Sequence, residues 1–156
     1  MPDMLVKLYE LPDLAEQIQR MHDKEITIRR PLPHEAGKVR QFVEEQFGHG
    51  WAEEIGPGFA NKPVSLFIAI KKGQVIGFAA YECTHRGFFG PTGVLKDERG
   101  QGIGKALLIA SMYGLKEMGY AYGIIGGAGP TQFYALSVGA VEISGSSPGI
   151  YIDPLR

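Results

Sequence analysis

Three alternating glycines constrain the fold of this chain more than any other feature. The segment Arg99-Gly-Gln-Gly-Ile-Gly-Lys105 lies between a β-rich run and the longest stretch with helical spacing, residues 103–118. The start of a helix leaves about four backbone N–H groups without intrahelical partners, and it carries roughly half a positive charge. Glycine lets an anion approach such a backbone closely. The flanking arginine and lysine add charge, so the sequence predicts a phosphate cradle at Gly100, Gly102 and Gly104.

The spacing of these glycines does not fit the two common nucleotide-binding fingerprints. A dinucleotide fingerprint needs a third glycine where Lys105 stands. A P-loop needs a glycine at Arg99 and a serine or threonine at Ala106. A nucleotide-binding module is therefore disfavoured, and tight binding of ATP or NAD would be the observation that restores it.

Charge and composition exclude several other classes. The 156 residues suit one domain and carry 16 basic and 17 acidic side chains, a balance that predicts neither a nucleic-acid partner nor a membrane partner. No apolar run approaches 18 residues, and the first ten residues lack a signal-peptide core. The single cysteine excludes a disulfide framework. The histidines show no ligand spacing, so no metal is predicted, and the expected compartment is the cytoplasm.

Periodicity and turn residues predict a mixed α/β (α+β) fold: a twisted, mostly antiparallel sheet of six to seven strands with helices on both faces. The predicted strands of this sheet are residues 25–30, 64–70, 75–81, 88–95, 120–125, 140–144 and 149–152. Residues 4–8 could form a further short strand in the N-terminal segment. The predicted helices are residues 14–21, 34–47, 51–55, 103–118 and 131–138. Glycines and a proline break the strand at residues 88–95, which indicates a bulge or an unpaired edge. Residues 1–24 form a predicted N-terminal extension before the main domain, residues 25–156.

Two motifs resemble those of the GCN5-related N-acetyltransferase (GNAT) family. Arg99-x-x-Gly-x-Gly104, with the preceding Gly-Val-Leu at residues 93–95, resembles the acetyl-CoA-binding signature of that family. Phe133-Tyr-x-x-x-x-Gly-Ala140 resembles its later Phe-Tyr-x-x-x-Gly-Phe segment, with one extra residue before the glycine. The predicted element order agrees over residues 25–152. The segments at residues 87–94 and 145–151 look like those of a bacterial subgroup.

The resemblance implies a site for acetyl-CoA, the acyl donor. The pyrophosphate would lie on the amides at the helix start, and the pantetheine arm would pair with the end of the preceding strand. That strand and the next would splay apart, with the thioester in the gap. The implied CoA-binding residues are Val94, Leu95, Lys96, Arg99, Gly100, Gln101, Gly102, Ile103, Gly104 and Lys105.

The resemblance also implies roles in catalysis. Tyr134 matches the general acid that protonates the departing thiolate; the alternative is a core aromatic. Glu82, at a strand end, is the predicted general base; the alternative is a solvent-facing charge. The acceptor amine is predicted to bind near Trp51, Glu54 and Tyr81, although an exposed helix face is an alternative for the glutamate.

Two functions follow from these features. The first is an N-acetyltransferase, in which a primary amine of a small molecule or peptide attacks acetyl-CoA directly in a ternary complex. The alternative is a catalytically weak or inactive acyl-CoA-binding sensor or structural module, and thiol release with a panel of amines separates the two. A homodimer is also a possible partnership, since the N-terminal extension could cover a sheet edge or reach a second subunit.

Overall fold

One seven-stranded sheet forms the centre of the computed structural model, which describes every residue from Met1 to Arg156. The strands are β1 Met4–Lys7, β2 Thr27–Arg29, β3 Leu66–Lys71, β4 Gln74–Tyr81, β5 Phe88–Val94, β6 Tyr122–Ile125 and β7 Val141–Glu142. The helices are α1 Leu14–His22, α2 Ala36–Phe47, α3 His49–Glu54, α4 Ile103–Glu117 and α5 Thr131–Val138. Short 3₁₀ turns span Pro33–Glu35, Gly56–Phe59 and Lys96–Glu98. None of the helices combines the length and apolar character that crossing a membrane requires.

The strand order in the sheet is β2-β3-β4-β5-β6-β1-β7. All neighbouring strands are antiparallel except β5 and β6, which are parallel. Hydrophobic cores lie on both faces: α1, α4 and α5 contribute to a cluster of 24 buried residues, and α2 and α3 to a cluster of nine. The predicted fold class, a mixed and mostly antiparallel sheet with helices on both faces, is confirmed.

β5 and β6 diverge after a short pairing. Only Phe88 and Phe89 of β5 pair with β6, opposite Ile124 and Ile125. The remainder of β5 pairs with β4 alone, and the register between β4 and β5 shifts between Ala79 and Tyr81. The predicted break in this strand is therefore present. It leaves one backbone edge of β5 open from residue 90 onward.

The N-terminal strand β1 lies inside the sheet, between β6 and β7. Met4 pairs with Ile125 on one side and with Glu142 on the other. The predicted final strand at residues 149–152 is wrong, because those residues form turns. Gly145 and Gly149 adopt left-handed backbone conformations, with φ of +72° and +60°, which bend the chain out of the sheet.

Candidate active site

The open edge of β5 borders a cavity of about 720 Å³, which we call the main cavity. It begins at the start of α4 and ends at α5, and the turn of residues 126–129 forms its far wall. Most of the predicted CoA-binding residues line it: Val94, Arg99, Gly100, Gly102, Ile103, Gly104 and Lys105. The sequence motif and the gap between the strands thus belong to one continuous space.

The three glycines serve this cavity in two different ways. Gly100 and Gly102 have φ of +85° and +87°, in the left-handed region that side chains with a Cβ rarely adopt. They give the loop its shape. Gly104 is helical, and a Cβ there would lie 3.8 Å from both Phe133 and Val94. Its missing side chain keeps the floor of the cavity open.

The charge at the cradle is predominantly positive. Arg99 and Lys105 line the cavity beside the positive end of α4. Glu98 also lines it, but its carboxylate accepts a hydrogen bond from Gln101 Nε2 (2.7 Å) and pairs with Lys71 (3.3 Å). Those contacts, the bond from Gln101 first, hold the pKa of Glu98 below its usual value. The acid is therefore ionised but largely compensated by its neighbours.

Three predicted CoA-binding residues lie outside the wall of the main cavity. The N–H of Leu95 donates to Ile76 (2.9 Å), which continues the β4–β5 ladder. Lys96 begins a 3₁₀ turn, and the Gln101 side chain turns towards Glu98. The pairing between β4 and β5 therefore continues to Leu95, one residue beyond the end of β5.

Tyr134, the predicted general acid, lies in the wall of the main cavity. Only 6% of the residue is exposed, and the ring packs edge-on against Phe89, with centroids 6.3 Å apart. Burial raises the pKa of the phenol to about 12. The hydroxyl makes no hydrogen bond within the chain and opens on the cavity. It is thus protonated at neutral pH and available to donate.

A smaller space of about 380 Å³, the side cavity, adjoins the main cavity. The two share a boundary formed by Phe89, residues 90–91 and residues 126–127. Trp51 and Glu54 lie in its wall, where the acceptor was predicted to bind. Both side chains project from the same face of the short helix α3, because they are three residues apart in sequence.

The structure corrects two predicted site residues. Glu82 lines neither cavity; its carboxylate accepts hydrogen bonds from the Gly87 N–H (2.7 Å) and the Tyr120 hydroxyl (2.6 Å). Tyr81 is fully buried, and its hydroxyl contacts Arg30 rather than the acceptor region. Tyr81 shares the buried face of β4 with Ala79 by regular alternation, and the φ of +56° at Glu82 redirects that carboxylate away from the gap.

Asp3 supports the wall of the site from outside it, a role that the sequence pattern does not reveal. Its carboxylate accepts a hydrogen bond from the Gly127 N–H (2.8 Å), and the carbonyl of Pro2 accepts one from Ala128 (2.7 Å). These bonds tie the far wall of the main cavity to the segment that leads into β1.

No group of three or more His, Cys, Asp or Glu side chains is placed to hold a metal ion.

A comparison with protein families connects this geometry to a known group. Residues 62–135 match the family model described as the acetyltransferase (GNAT) domain. Residues 62–135, just under half of the chain, are thus similar to a GNAT acetyltransferase domain. The matched region extends from β3 to the middle of α5, so it contains the glycine cradle, the open edge of β5 and Tyr134. The predicted resemblance to the GNAT family is thereby confirmed.

Solved structures share the GNAT fold with this chain. A GCN5-related glucosamine N-acetyltransferase region of a fungal multi-domain GH3 β-N-acetylglucosaminidase superimposes with a TM-score of 0.75 at 20% identity over 91% of this chain. A GCN5-related N-acetyltransferase from Sphaerobacter thermophilus gives 0.72 at 21% identity, also over 91%. The chain spans about 19% and 48% of those two proteins, respectively.

A third similar structure is a GNAT family acetyltransferase from Brucella melitensis in complex with acetyl-CoA. It has a TM-score of 0.58 and 23% identity, over 76% of this chain and 88% of that one. No curated protein matches the chain in sequence. At these identities the structural likeness supports the fold, and the activity must be argued from the site.

Proposed function

We propose that this chain transfers an acetyl group from acetyl-CoA to a primary amine of a small molecule or peptide. The observation that carries the proposal is the continuity of the main cavity. One space joins a positively charged glycine cradle, an open strand edge and a protonated phenol. These are the three groups that would hold a pyrophosphate, align an amide-containing arm and protonate a leaving thiolate.

The donor would be held mainly by backbone groups. The N–H groups around Gly100, Gly102 and Gly104 would bind the pyrophosphate, with Arg99 and Lys105 beside it. The open edge of β5 would pair with the amides of the pantetheine arm, as a neighbouring strand does. The thioester would then lie in the gap where β5 leaves β6. A backbone N–H near Val94 would stabilise the negative charge on the carbonyl oxygen.

The reaction would be a direct attack in a ternary complex. The lone pair of the neutral amine forms a C–N bond to the thioester carbon, the C–S bond breaks, and the sulfur leaves as a thiolate. Tyr134 donates its proton to that thiolate, and the proton released by the nitrogen returns to the phenolate through solvent. Holding both reactants in one cavity supplies much of the acceleration through effective molarity. A well-placed acid contributes about 10²–10⁴-fold.

One observation favours the alternative, an acyl-CoA-binding module with little or no catalysis. The predicted general base, Glu82, is engaged by Gly87 and Tyr120 and lies outside the cavity. An amine that arrives already neutral needs no such base, and a module that only binds acyl-CoA needs none either. Release of free thiol from acetyl-CoA in the presence of amines distinguishes the two functions.

Substitution at Gly104 tests the proposed CoA site. Gly104→Val places a branched side chain in the cavity at an ordinary helical position. It should weaken acetyl-CoA binding at least tenfold, about 1.4 kcal/mol, when measured by calorimetry. Gly37→Val is the matched control, since Gly37 is also helical and a Cβ there meets nothing within 4 Å. Equal affinity in the two folded variants would contradict the cradle. Gly102→Val is a poorer probe because its φ of +87° strains any side chain.

A further inference from the structure

The side cavity has direct access to the proposed reaction centre. Its shared boundary with the main cavity is the point where β5 leaves β6, beside Phe89 and residues 126–127. A molecule in the side cavity would therefore lie next to a thioester in the gap. This space is contiguous with the donor site but does not contain the glycine cradle, so the acceptor is its natural occupant.

An acid and two aromatic rings dominate the wall of the side cavity. Glu54 accepts a hydrogen bond from the Thr84 hydroxyl (2.8 Å) through Oε1, and its second oxygen has no partner within the chain. Trp51 and Tyr151 line the same space, and 40% and 45% of these residues are exposed, respectively. The charge of Glu54 adds to burial in raising the pKa of Tyr151. The aromatic rings and the acid thus line the same small space.

The charge of Glu54 is not neutralised by any side chain. No lysine or arginine lines the side cavity, and Glu54 belongs to no salt bridge. Met1 also lines this space, but its terminal ammonium donates to the Ser147 hydroxyl (3.3 Å) in an exposed position. A cationic ligand would supply the missing counter-charge. Aromatic faces also attract cations.

We infer that the side cavity selects an acceptor amine that carries a second positive charge, held by Glu54 between Trp51 and Tyr151. The inference rests on the proposed acetyl transfer. The reacting nitrogen reaches the thioester as the neutral amine, while the second, protonated nitrogen remains in the side cavity. The chemical class is a diamine or a longer polycationic amine, and a monoamine of the same length lacks the group that Glu54 binds.

A pair of amines tests this inference on the full chain. 1,4-Diaminobutane and n-butylamine have the same carbon chain, and thiol release at saturating acetyl-CoA measures kcat/KM for each. The diamine should be preferred at least tenfold. Glu54→Gln should lose at least tenfold with the diamine, mainly in KM, and change little with butylamine. Glu53→Gln is the matched control, because Glu53 is the adjacent acid, is largely exposed and approaches only His49 (4.0 Å).

Failure of the inference differs from failure of the proposed function. Equal kcat/KM for the two amines, or equal effects of Glu54→Gln and Glu53→Gln, would overturn the inference and leave acetyl transfer intact. Absence of thiol release with every amine would overturn the acetyl transfer. In that case, calorimetric titration of 1,4-diaminobutane into the CoA-loaded protein decides the inference. Binding that Glu54→Gln abolishes supports it, and absence of binding overturns it.

Discussion

Tyr134 has the protonation state and the surroundings that donation to a thiolate requires. Its phenol remains protonated at neutral pH, because burial raises its pKa to about 12. Tyr134→Phe removes the hydroxyl and keeps the ring that packs on Phe89. We expect kcat to fall about 10²–10⁴-fold, with the calorimetric affinity for acetyl-CoA unchanged. Tyr122→Phe, at an exposed tyrosine outside both cavities, should keep full activity. Full activity in Tyr134→Phe would instead assign the ring to packing alone.

The ion pair of Arg29 and Glu35 should make the stability of the fold depend on pH in the acidic range. The two terminal guanidinium nitrogens of Arg29 donate to the carboxylate at 2.8 Å, and these bonds, with one from the Leu32 N–H, lower the pKa of Glu35 to about 2. A lowered folded-state pKa stabilises the fold above the unfolded pKa of about 4.3. That contribution is lost as the pH falls towards 2.

Thermal unfolding between pH 2 and 7 checks this dependence. The Tm difference between the wild type and Glu35→Gln should be largest above about pH 5 and should vanish near pH 2. Glu16→Gln removes an exposed partner of Arg20 and should change Tm little at any pH. A Tm difference for Glu35→Gln that is constant over this range would exclude the ion pair as its cause.

At the scale of elements, α4 packs so closely on β4 that the addition of a single methyl group should lower the stability of the protein. Alanine normally stabilises a helix interior by about 1 kcal/mol over glycine. At Gly114, however, a Cβ would lie 2.5 Å from the Tyr81 hydroxyl. Tyr81 is fixed by its bond to Arg30 and by stacking on Phe67. Gly114→Ala should therefore destabilise the protein by about 1–3 kcal/mol in urea unfolding. Gly37→Ala, with open space around it, should not. Equal stability of the two variants would contradict this packing.

The elements that the sequence predicts well are those with strong periodicity. The helix at residues 103–118 and the strands from residue 64 to residue 95 lie where the pattern places them. The pattern fails where it does not show which face of a strand is covered or where the backbone turns left-handed. Tyr81 alternates with Ala79 into the larger buried cluster, and a left-handed backbone redirects Glu82. Neither feature changes the composition of the strand, so no local pattern indicates it.

At the scale of the whole molecule, the N-terminal segment completes the site. We propose that residues 1–24, predicted as an extension, belong to the same folding unit as the rest of the chain, since β1 has a partner on each side. The contact between Asp3 and Gly127 joins residues 124 positions apart. Its existence depends on the order of strands in the sheet, which no local sequence pattern specifies.

Asp3→Ala tests whether this long-range contact supports the far wall of the main cavity. It leaves the Gly127 N–H without its partner, at a cost of about 1–3 kcal/mol. We expect a lower Tm and an affinity for acetyl-CoA that is several-fold weaker, both measured against wild type. Glu10→Ala, in the same segment but with only an exposed pairing to Lys7, should change neither quantity. Unchanged affinity in Asp3→Ala would mean that the turn holds its shape unaided.

The position of β1 also determines when the sheet can be completed during synthesis. The ribosome makes β1 well before its two partner strands, β6 and β7, which begin at residues 122 and 141. At about 5–20 residues per second, the nascent chain carries β1 unpaired for roughly ten seconds. Val6 and Leu8, fully buried in the finished protein, remain exposed during that interval. Chaperones that shield apolar nascent segments would therefore act on β1 before the cavity that it supports exists.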